Sequence, residues 1–433
     1  MKRPVITIAQ LAAHADQEVT LRGWVYNWRK KGKLRFVILR DGFGYLQCIV
    51  FRPEVSDETW ETAVELTQET SVEISGKLVA DERAPGGYEL KADDLKILGT
   101  SPEYPLGKKD HGVDFLLNKR HLWLRSKRQH AIMRVRSEAQ FAIREYFQSR
   151  DYTLIDSPIL TPAACEGTST LFETDYFGEP AFLSQSGQLY LEPAAAALSK
   201  VFCFGPTFRA EKSKTRRHLT EFWMVEPEVA WLQFDGLLDL CEDFLSEVVS
   251  RILDRCAVDL ERLERDTSKL EASTSTPYPR IDYGDAINKL KELGCQIEHG
   301  DDFGGDDETL LANLYDRPVL VTRYPADLKA FYMQPDPKDP TRALAVDVLA
   351  PEGYGEIIGG SERSASLEHL EKQIKLHGLP REAFEWYLDL RTYGSFPHAG
   401  FGMGLERFVS WMCGIPHLRE AIPYPRLINR LYP

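Results

Sequence analysis

The chain has 433 residues, of which 43% are hydrophobic and 27% charged, and its formal net charge is −13. These values are close to the average for folded globular proteins and exclude a mostly disordered, collagen-like or coiled-coil chain, and the length suggests two or three domains. Residues 1–130 are slightly basic, with 21 Lys and Arg against 18 Asp and Glu. A polyanionic partner is therefore expected to meet this N-terminal third, and chance variation along the chain is an equal alternative.

Targeting, membrane and disulfide signals do not stand out. The N-terminal residues MKRPVITIAQLAAHAD lack the apolar centre of a signal peptide, and no run of 18 apolar residues follows. The seven cysteines are scattered without a C-x-x-C pair, so neither a zinc knuckle nor a redox dithiol is indicated. We expect a cytoplasmic protein with reduced thiols and no membrane partner.

The first predicted elements are short strands. Residues 18–50 alternate apolar and polar side chains, with breaks at Gly32 and at Asp41-Gly42, and a second strand pair is predicted near 71–98. Several short strands within about 100 residues favour a small β-barrel, a class that includes the OB-fold. One hairpin interleaves cations with aromatic side chains: Arg29, Lys30, Lys31, Lys33, Arg35 and Arg40 with Tyr26, Trp28 and Phe36. Such a surface suits unpaired nucleic acid, and a solvated basic hairpin with core aromatics is the alternative.

A helix and an edge strand are predicted after a segment rich in proline and glycine near 100–115. Apolar residues recur at helical spacing between Ile132 and Phe147, which predicts a helix over about 130–150. The strand YTLIDSPILTP follows. Because Pro158 cannot donate a ladder hydrogen bond, this strand is expected at a sheet edge or an interface.

The middle of the chain predicts a strand, a helix and two further strands. Gln188 and Leu191 share one face of that helix. The basic loop KSKTRRH then leads into EFWMVEPEVA, where Phe222, Met224 and Glu226 lie on one face of a strand. A glutamate on an otherwise apolar face is costly unless it is paired, so this face indicates a site or, alternatively, a partly solvated edge.

Near the C-terminus, Gly400, Gly402 and Gly404 leave one face of a predicted strand without side chains, so a ligand or a neighbouring strand can approach closely. Upstream, Asp347 and Glu356 flank a turn and could hold Mg²⁺ together with nucleotide phosphates, although loop carboxylates are more often only solvated. Neither a P-loop nor a Rossmann fingerprint occurs, so any use of ATP requires another architecture.

FRAE, the basic loop, HLTEF and the distant GFGMGLER together resemble the class II aminoacyl-tRNA synthetases, and the whole chain resembles their aspartyl/asparaginyl subgroup. The resemblance implies an α+β protein with an N-terminal OB-fold β-barrel for the anticodon at 1–100 and a linker or hinge at 101–130. The class II catalytic domain would span 131–433 as an antiparallel sheet flanked by helices. A homodimer is implied, with its interface around Pro158.

The same resemblance implies a role for each motif residue. Arg209 would bind the α-phosphate and the amino-acid carboxylate, and Arg407 the γ-phosphate. The other nucleotide and metal contacts would be Glu211 and Phe222 on adenine, His218 on the outer phosphates, and Asp347 and Glu356 on Mg²⁺. The catalytic residues would be Arg209, Arg407 and Glu356. Contacts to the amino acid would come from Glu166, Gln188, Leu191, Arg209, Glu226 and Arg363, and contacts to the anticodon from Arg29, Phe36 and Gln47.

Two positions predict which amino acid is used. Leu191 stands where aspartyl enzymes carry a lysine, and Glu226 stands where they carry aspartate. A pocket made of Arg363 and Glu226 is neutral and offers one donor group and one acceptor group, which a carboxamide satisfies. Aspartate would meet Glu226 with like charge. The expected reaction is ATP- and Mg²⁺-dependent ligation of L-asparagine to tRNA(Asn) through asparaginyl-adenylate, with release of AMP and diphosphate.

Two alternatives remain, an aspartyl enzyme of relaxed specificity and a paralogue that is not a ligase. The chain also departs from the family by carrying Ser364-Ala365-Ser366 where His-Asp is common after the GG-S-x-R element. No role is predicted for the irregular segment 265–340.

Overall fold

The computed structural model describes residues 3–107, 109–162, 165, 170–213 and 215–433. The chain divides into two compact units, Met1–Gly112 and Val113–Pro433. The segment 101–130, expected as a linker, is shared between them, because residues from 113 onward form helices of the second unit.

The first unit is a closed barrel. Its elements are β1 (Val5–Ile6), β2 (Glu18–Lys31), β3 (Leu34–Arg40), β4 (Tyr45–Phe51), α1 (Asp57–Glu65), β5 (Ser71–Ala80) and β6 (Tyr88–Gly99). The strand order is β1-β2-β3-β4-β6-β5, and β2 also pairs with β5, which closes the barrel. Alternate residues such as Val37, Leu39 and Cys48 fill its interior. The predicted β-barrel is confirmed, and Gly32 turns between β2 and β3 at φ 57°.

The second unit is built on a large sheet. Its helices are α2 (Val113–Asn118), α3 (Arg120–Trp123), α4 (Lys127–Gln148), α5 (Gln188–Leu198), α6 (Phe234–Arg255), α7 (Ala257–Arg262), α8 (Ser268–Ala272), α9 (Tyr283–Glu292), α10 (Gly305–Ala312), α11 (Leu367–Leu376), α12 (Glu385–Thr392) and α13 (Leu405–Cys413). Its strands are β7 (Thr153–Leu154), β8 (Leu160–Thr161), β9 (Glu173–Tyr176), β10 (Glu179–Leu183), β11 (Lys200–Phe208), β12 (Glu221–Ala230), β13 (Arg280–Asp282), β14 (Val319–Thr322), β15 (Pro335–Asp336), β16 (Asp339–Ala343), β17 (Ala345–Ala350), β18 (Gly355–Glu362) and β19 (His398–Gly404).

Eight strands form the sheet in the order β13-β14-β17-β18-β19-β12-β11-β7. Pairing is antiparallel from β14 to β11 and parallel only at the two edges. Helices α4, α6 and α13 pack against it in one hydrophobic core. The prediction of an antiparallel sheet flanked by helices is therefore confirmed.

Predictions of single helices and strands agree best with the structure where the pattern of apolar residues is long. The predicted helix over 130–150 is α4, and its periodic apolar residues are buried. The single strand predicted around Pro158 is wrong, because the structure has only the two-residue strands β7 and β8 on either side of it. The unassigned segment 265–340 carries a small core of its own at the β13 edge of the sheet, including Tyr283, Leu311 and Val321.

Among the helices of the described residues, none combines the length and the apolar character needed to cross a bilayer.

Candidate active site

One cleft of the second unit, about 740 Å³ in volume, collects every residue expected to bind the nucleotide itself. The lining residues come from the loop between β11 and β12, from β12, β18 and β19, and from α13. Its main lining residues are Arg209, Glu211, Arg217, His218, Phe222, Glu356, Gly402, Gly404 and Arg407. Arginines from distant parts of the chain thus face one cavity, which suits a polyanionic ligand.

The β11–β12 hairpin supplies one wall of the cleft. The Arg209 guanidinium lies 5.4 Å from the centre of the Phe222 ring, and both residues line the cleft. The His218 Nε2 atom lies 3.4 Å from a Glu211 carboxylate oxygen, and its Nδ1 atom is 3.1 Å from the Ser213 hydroxyl. Burial lowers the pKa of His218 despite the attraction of Glu211. The ring is therefore mainly neutral at pH 7.

The opposite end of the cleft holds the carboxylates expected to bind metal. A Cβ added to Gly359 would lie 2.8 Å from the Glu356 Oε1 atom and 3.7 Å from the Asp347 Oδ1 atom, so both carboxylates approach one point. Asp347 accepts a hydrogen bond of 2.7 Å from the Lys329 ammonium group. Arg407 donates to the Glu356 backbone carbonyl at 2.7 Å. Burial and the negative charge of the neighbouring Asp347 raise the pKa of Glu356. A divalent cation bound to both carboxylates would relieve the repulsion between them.

This pair fits Mg²⁺. Mg²⁺ is usually held by one or two carboxylates together with substrate phosphates rather than by a complete protein cage. The described part of the chain contains no cluster of three or more His, Cys, Asp or Glu side chains arranged as metal ligands. The donor set and its position beside the cleft therefore suit a metal that arrives with a nucleotide.

The glycines of β19 make room for side chains of β12. A Cβ on Gly400 would lie 2.3 Å from a Glu228 carboxylate oxygen, and a Cβ on Gly402 would lie 2.5 Å from the Met224 methyl carbon. A Cβ on Gly404 would meet nothing within 4 Å, and this residue lines the cleft. The neighbouring strand therefore makes the predicted close approach at Gly400 and Gly402, whereas Gly404 faces open space.

Glu226 is buried beside the start of α5. Its carboxylate accepts hydrogen bonds from the Ser186 hydroxyl and, at 2.8 Å, from the Gly187 backbone N–H. The Cys203 thiol lies 3.3 Å from the same carboxylate. Leu191 is fully buried and packs in the same apolar cluster as Cys203. No cation pairs with Glu226 within the described residues, which makes its surroundings unfavourable for a second carboxylate.

Arg363 is partnered by Glu228, a residue that the sequence analysis did not single out. The Arg363 Nη2 atom donates to Glu228 at 2.9 Å, its Nε atom donates at 3.1 Å, and its Nη1 atom donates to the Ser361 hydroxyl at 2.8 Å. The charge of Arg363 is thus balanced by Glu228 and not by Glu226, so the two-residue neutral pocket that we expected is too simple. Both glutamates remain on one face of β12, as their spacing requires.

Gln188 belongs to a buried polar network around Glu192. Its Nε2 atom donates to Glu192 at 3.2 Å, and Glu192 also accepts from Arg391 at 2.7 Å and from the Tyr387 hydroxyl at 2.9 Å. The His398 ring faces two acceptors, the Phe396 carbonyl at 2.9 Å and Glu192 at 3.0 Å. Because neither acceptor has a proton to give, both ring nitrogens carry hydrogen and the imidazole is cationic.

This arrangement predicts pH-dependent stability. Burial would lower the pKa of His398, but Glu192 and the nearby Glu228 outweigh it and raise the pKa despite Arg391. A raised pKa stabilises the fold below the ordinary histidine value of about 6.5 and loses that contribution as the pH rises through the folded value. We expect urea midpoints to fall from pH 6 to pH 9, with a smaller fall in a His398→Gln variant, and an equal fall in both proteins would contradict this assignment.

The three residues expected to contact the anticodon lie in the barrel, and one residue expected to contact the amino acid is not among those described. Glu166 lies outside the described residues. Arg29 and Phe36 are cross-strand partners with the guanidinium 4.4 Å from the ring centre. Gln47 lies on the same outer face of the neighbouring strand and donates to Glu89 at 3.1 Å. The expected anticodon residues therefore share one face of the barrel.

Two cations of the basic hairpin are not available at the surface. Arg35 and Arg40 are buried, with their guanidinium groups over Trp28 and Trp24, and Arg40 pairs with Glu69 at 2.7 Å. The basic character expected for this hairpin is therefore carried by fewer side chains than the sequence suggested.

Comparison with known proteins agrees with this geometry. The family described as tRNA synthetases class II (D, K and N) matches residues 112–428. The chain belongs to this family. A second family, described as OB-fold nucleic acid binding domain, matches residues 19–98 of the synthetase. The predicted family and fold are therefore confirmed.

Relatives and a solved structure match nearly the whole synthetase. It is 56% identical to the asparagine–tRNA ligase of Sorangium cellulosum over all of its own length and 99% of that protein. It is 54% identical to the asparagine–tRNA ligase of Koribacter versatilis over 99% of each chain. The structure of Pyrococcus horikoshii asparaginyl-tRNA synthetase complexed with asparaginyl-adenylate is 42% identical, with a TM-score of 0.96 over 99% of both chains.

Proposed function

We propose that the synthetase joins L-asparagine to tRNA(Asn). In the first step the asparagine carboxylate attacks the α-phosphate of ATP, which forms asparaginyl-adenylate and releases diphosphate. In the second step the terminal ribose of the tRNA attacks the adenylate and AMP leaves. The observation that carries the proposal is the convergence of the expected nucleotide residues in one cleft, and the asparagine–tRNA ligases that match the full chain support it. The reaction is expected in the cytoplasm, where tRNA is charged for translation.

The cleft favours the first step because its arginines reduce the repulsion between the two negatively charged reactants. Two anions must approach, and Arg209 and Arg407 each bring a guanidinium that can bind a phosphate or carboxylate in a bidentate manner. Their side chains are held in advance, Arg209 against the Phe222 ring and Arg407 on the Glu356 carbonyl. Donors fixed in this way stabilise developing negative charge with little reorganisation. The substrate supplies the nucleophile, so no serine or cysteine nucleophile is required.

Mg²⁺ is proposed as the metal cofactor, held by Asp347 and Glu356. When bound with ATP it would neutralise phosphate charge. Lys329 already balances part of the Asp347 charge through an ion pair of 2.7 Å.

Preference for asparagine is proposed to rest on Glu226. Its carboxylate can accept a hydrogen bond from a carboxamide NH₂ group, whereas a substrate carboxylate would meet it with like charge. A substrate that leaves buried polar groups unpaired is rejected strongly. The asparagine–tRNA ligases at 51–56% identity agree with this preference over aspartate.

Leu191→Lys is expected to shift preference toward aspartate. Leu191 packs in the same cluster as Cys203, which lies 3.3 Å from Glu226, so a lysine here can bring its ammonium group toward that carboxylate. Relief of about 1.4 kcal/mol of repulsion corresponds to a tenfold rise in the aspartate-to-asparagine ratio of kcat/KM. Leu191→Met is the control of similar volume. Equal losses for both amino acids in the Lys variant would contradict the role of Glu226.

Recognition of the anticodon is proposed for the outer face of the barrel, with Phe36 stacking on a base and Gln47 hydrogen-bonding to it. Gln47→Ala is expected to lower tRNA charging about tenfold. One lost hydrogen bond costs about 1 kcal/mol, and the base would also stack less well on Phe36 without it. Diphosphate exchange without tRNA should not change. Loss of exchange as well would mean that Gln47 supports the fold.

A homodimer is proposed through the region around β7 and β8. Leu154, Ile159 and Leu160 are large apolar side chains that this chain alone leaves exposed, as is Phe141 on α4. Side chains of this kind at a sheet edge are typical of interfaces between subunits.

The proposed function is tested by ATP–diphosphate exchange with asparagine or aspartate, followed by charging of tRNA(Asn). Exchange with asparagine alone and subsequent charging is the expected result. Exchange with aspartate would support an aspartyl enzyme of relaxed specificity. No exchange with either amino acid would support a paralogue that is not a ligase.

A further inference from the structure

A cysteine on β11 faces the glutamate that we propose for selection of the amino acid. Cys203 and Glu226 are direct partners in the antiparallel pairing of β11 and β12, so their side chains lie on the same face of the sheet. Both residues are buried, with exposed fractions of 3% and 4%. The Cys203 Sγ atom lies 3.3 Å from the Glu226 Oε2 atom. Because an ionised carboxylate only accepts hydrogen bonds, the thiol is the donor.

The surroundings of the thiol keep it protonated and fixed in place. Burial and the negative charge of Glu226 raise the pKa of Cys203 well above its ordinary value, so the thiol retains its proton at neutral pH. A Cβ on Gly187 would lie 2.6 Å from the Cys203 Sγ atom and 2.8 Å from the Ser157 hydroxyl oxygen. Glycine therefore lets the turn before α5 pack directly on the thiol.

Three neutral donors occupy most of the Glu226 carboxylate, which can accept about two hydrogen bonds at each oxygen. The Oε2 atom accepts from the Gly187 backbone N–H at 2.8 Å and from the Cys203 thiol, so both of its positions are used. The Oε1 atom accepts from the Ser186 hydroxyl, and these donors of the described residues leave one position on Oε1. A Cβ on Gly402, which lines the cleft, would lie 3.9 Å from this same Oε1 atom.

We propose that Cys203 is a positioning residue for the selection of asparagine, an inference that rests on the proposed function. Its thiol fixes the Oε2 atom of Glu226, so that the remaining acceptor position on Oε1 is presented to the carboxamide NH₂ group. Because the thiol is neutral, it orients the carboxylate without cancelling its charge, and that charge continues to repel a substrate carboxylate. A cation in the place of the thiol would orient Glu226 equally well but would remove this repulsion.

Cys203→Ala tests the positioning role because it removes the donor and adds no new group. We expect kcat/KM for asparagine in the exchange reaction to fall about three- to tenfold, the effect of one hydrogen bond, through a higher KM for asparagine. The KM for ATP and the kcat/KM for aspartate should not change, so the ratio of asparagine to aspartate use falls by the same factor. Cys203→Ser keeps a donor and should restore most of that ratio.

Cys241→Ala is the matched control, since it removes the same sulfur atom from another buried cysteine of the second unit. Cys241 lies on α6 and packs in the main hydrophobic core, whereas Cys203 belongs to a separate cluster. The control should leave the KM for asparagine and the ratio of asparagine to aspartate use unchanged. Urea unfolding of both alanine variants measures the stability that each one loses.

The S–H stretching band in the infrared gives a readout that does not depend on activity. Difference spectra between the unmodified enzyme and each alanine variant assign the bands of Cys203 and Cys241. A hydrogen bond to a charged acceptor is stronger than one to a neutral acceptor and weakens the S–H bond more. We therefore expect the Cys203 band at a lower frequency than the Cys241 band, and at a higher frequency in Glu226→Gln than in the unmodified enzyme.

Equal losses for asparagine and aspartate in Cys203→Ala, or an effect of the same size in Cys241→Ala, would overturn the inference. A Cys203 band that does not move in Glu226→Gln would also overturn it, as would a Cys203→Ser ratio as low as that of Cys203→Ala. Absence of exchange in the unmodified enzyme, or preference for aspartate, would instead contradict the proposed function. The infrared band would still test the contact between Cys203 and Glu226 in that case.

Discussion

Replacing Arg209 with glutamine lowers kcat/KM for asparagine-dependent ATP–diphosphate exchange by about 10²–10³-fold, the usual effect of removing one fixed donor from a developing negative charge. Arg209 lines the cleft, its guanidinium is held against Phe222, and no other arginine of the described residues stacks on that ring. Glutamine keeps a donor of similar length but loses the charge and the bidentate geometry.

Arg144 provides a control within the same unit. Its guanidinium lies 4.4 Å from the centre of the Phe204 ring on β11, so it also stacks on a phenylalanine of the hairpin, but it extends from α4 and does not line the cleft. Arg144→Gln should leave exchange unchanged. If both variants lose activity equally, the effect of Arg209 is on hairpin packing and not on the phosphate.

Glu192→Gln is expected to cause the largest loss of stability. Glu192 is fully buried and is the shared acceptor for Arg391, His398 and the Tyr387 hydroxyl. Removing one partner of a buried ionic cluster leaves uncompensated charge and costs about 3–5 kcal/mol of unfolding free energy. Urea unfolding monitored by circular dichroism measures this difference.

The exposed pair of Glu371 and Arg381, 2.9 Å apart, is the comparison for this prediction. Glu371→Gln should change the unfolding free energy by no more than about 1 kcal/mol, because solvent screens exposed pairs. A similar small change for Glu192→Gln would mean that water or repacking replaces the lost charge.

The fold was predictable wherever a local pattern repeats. Apolar spacing located α4, and alternation placed Phe222, Met224 and Glu226 on one face of β12. The residues of the cleft that we propose for the nucleotide were predicted from the resemblance of their motifs to those of class II synthetases. The region around Pro158 was harder, because a proline interrupts the ladder and leaves strands too short for a pattern.

The remaining residues of the site could not be predicted because their partners are far apart in the chain. Glu192 meets Arg391 and His398 across about half of the sequence, and Glu228 meets the predicted Arg363 from 135 residues away. Each of these residues taken alone resembles an ordinary charged surface residue. Only the crossing of strands and helices brings them together, and burial then makes each dependent on the other.

The glycine at position 400 has a consequence for how the amino-acid preference of this enzyme could change over time. A Cβ there would lie 2.2 Å from the Pro227 backbone carbonyl oxygen and 2.3 Å from the Glu228 carboxylate, which accepts hydrogen bonds from Arg363. A single methyl group on β19 would therefore disturb both the backbone of β12 and the carboxylate that pairs with Arg363. Selection experiments that score activity alone would place Gly400 among the residues that contact the amino acid. Variation that alters the preference while preserving the fold should instead accumulate on α5 and β12, which carry Leu191 and Glu226.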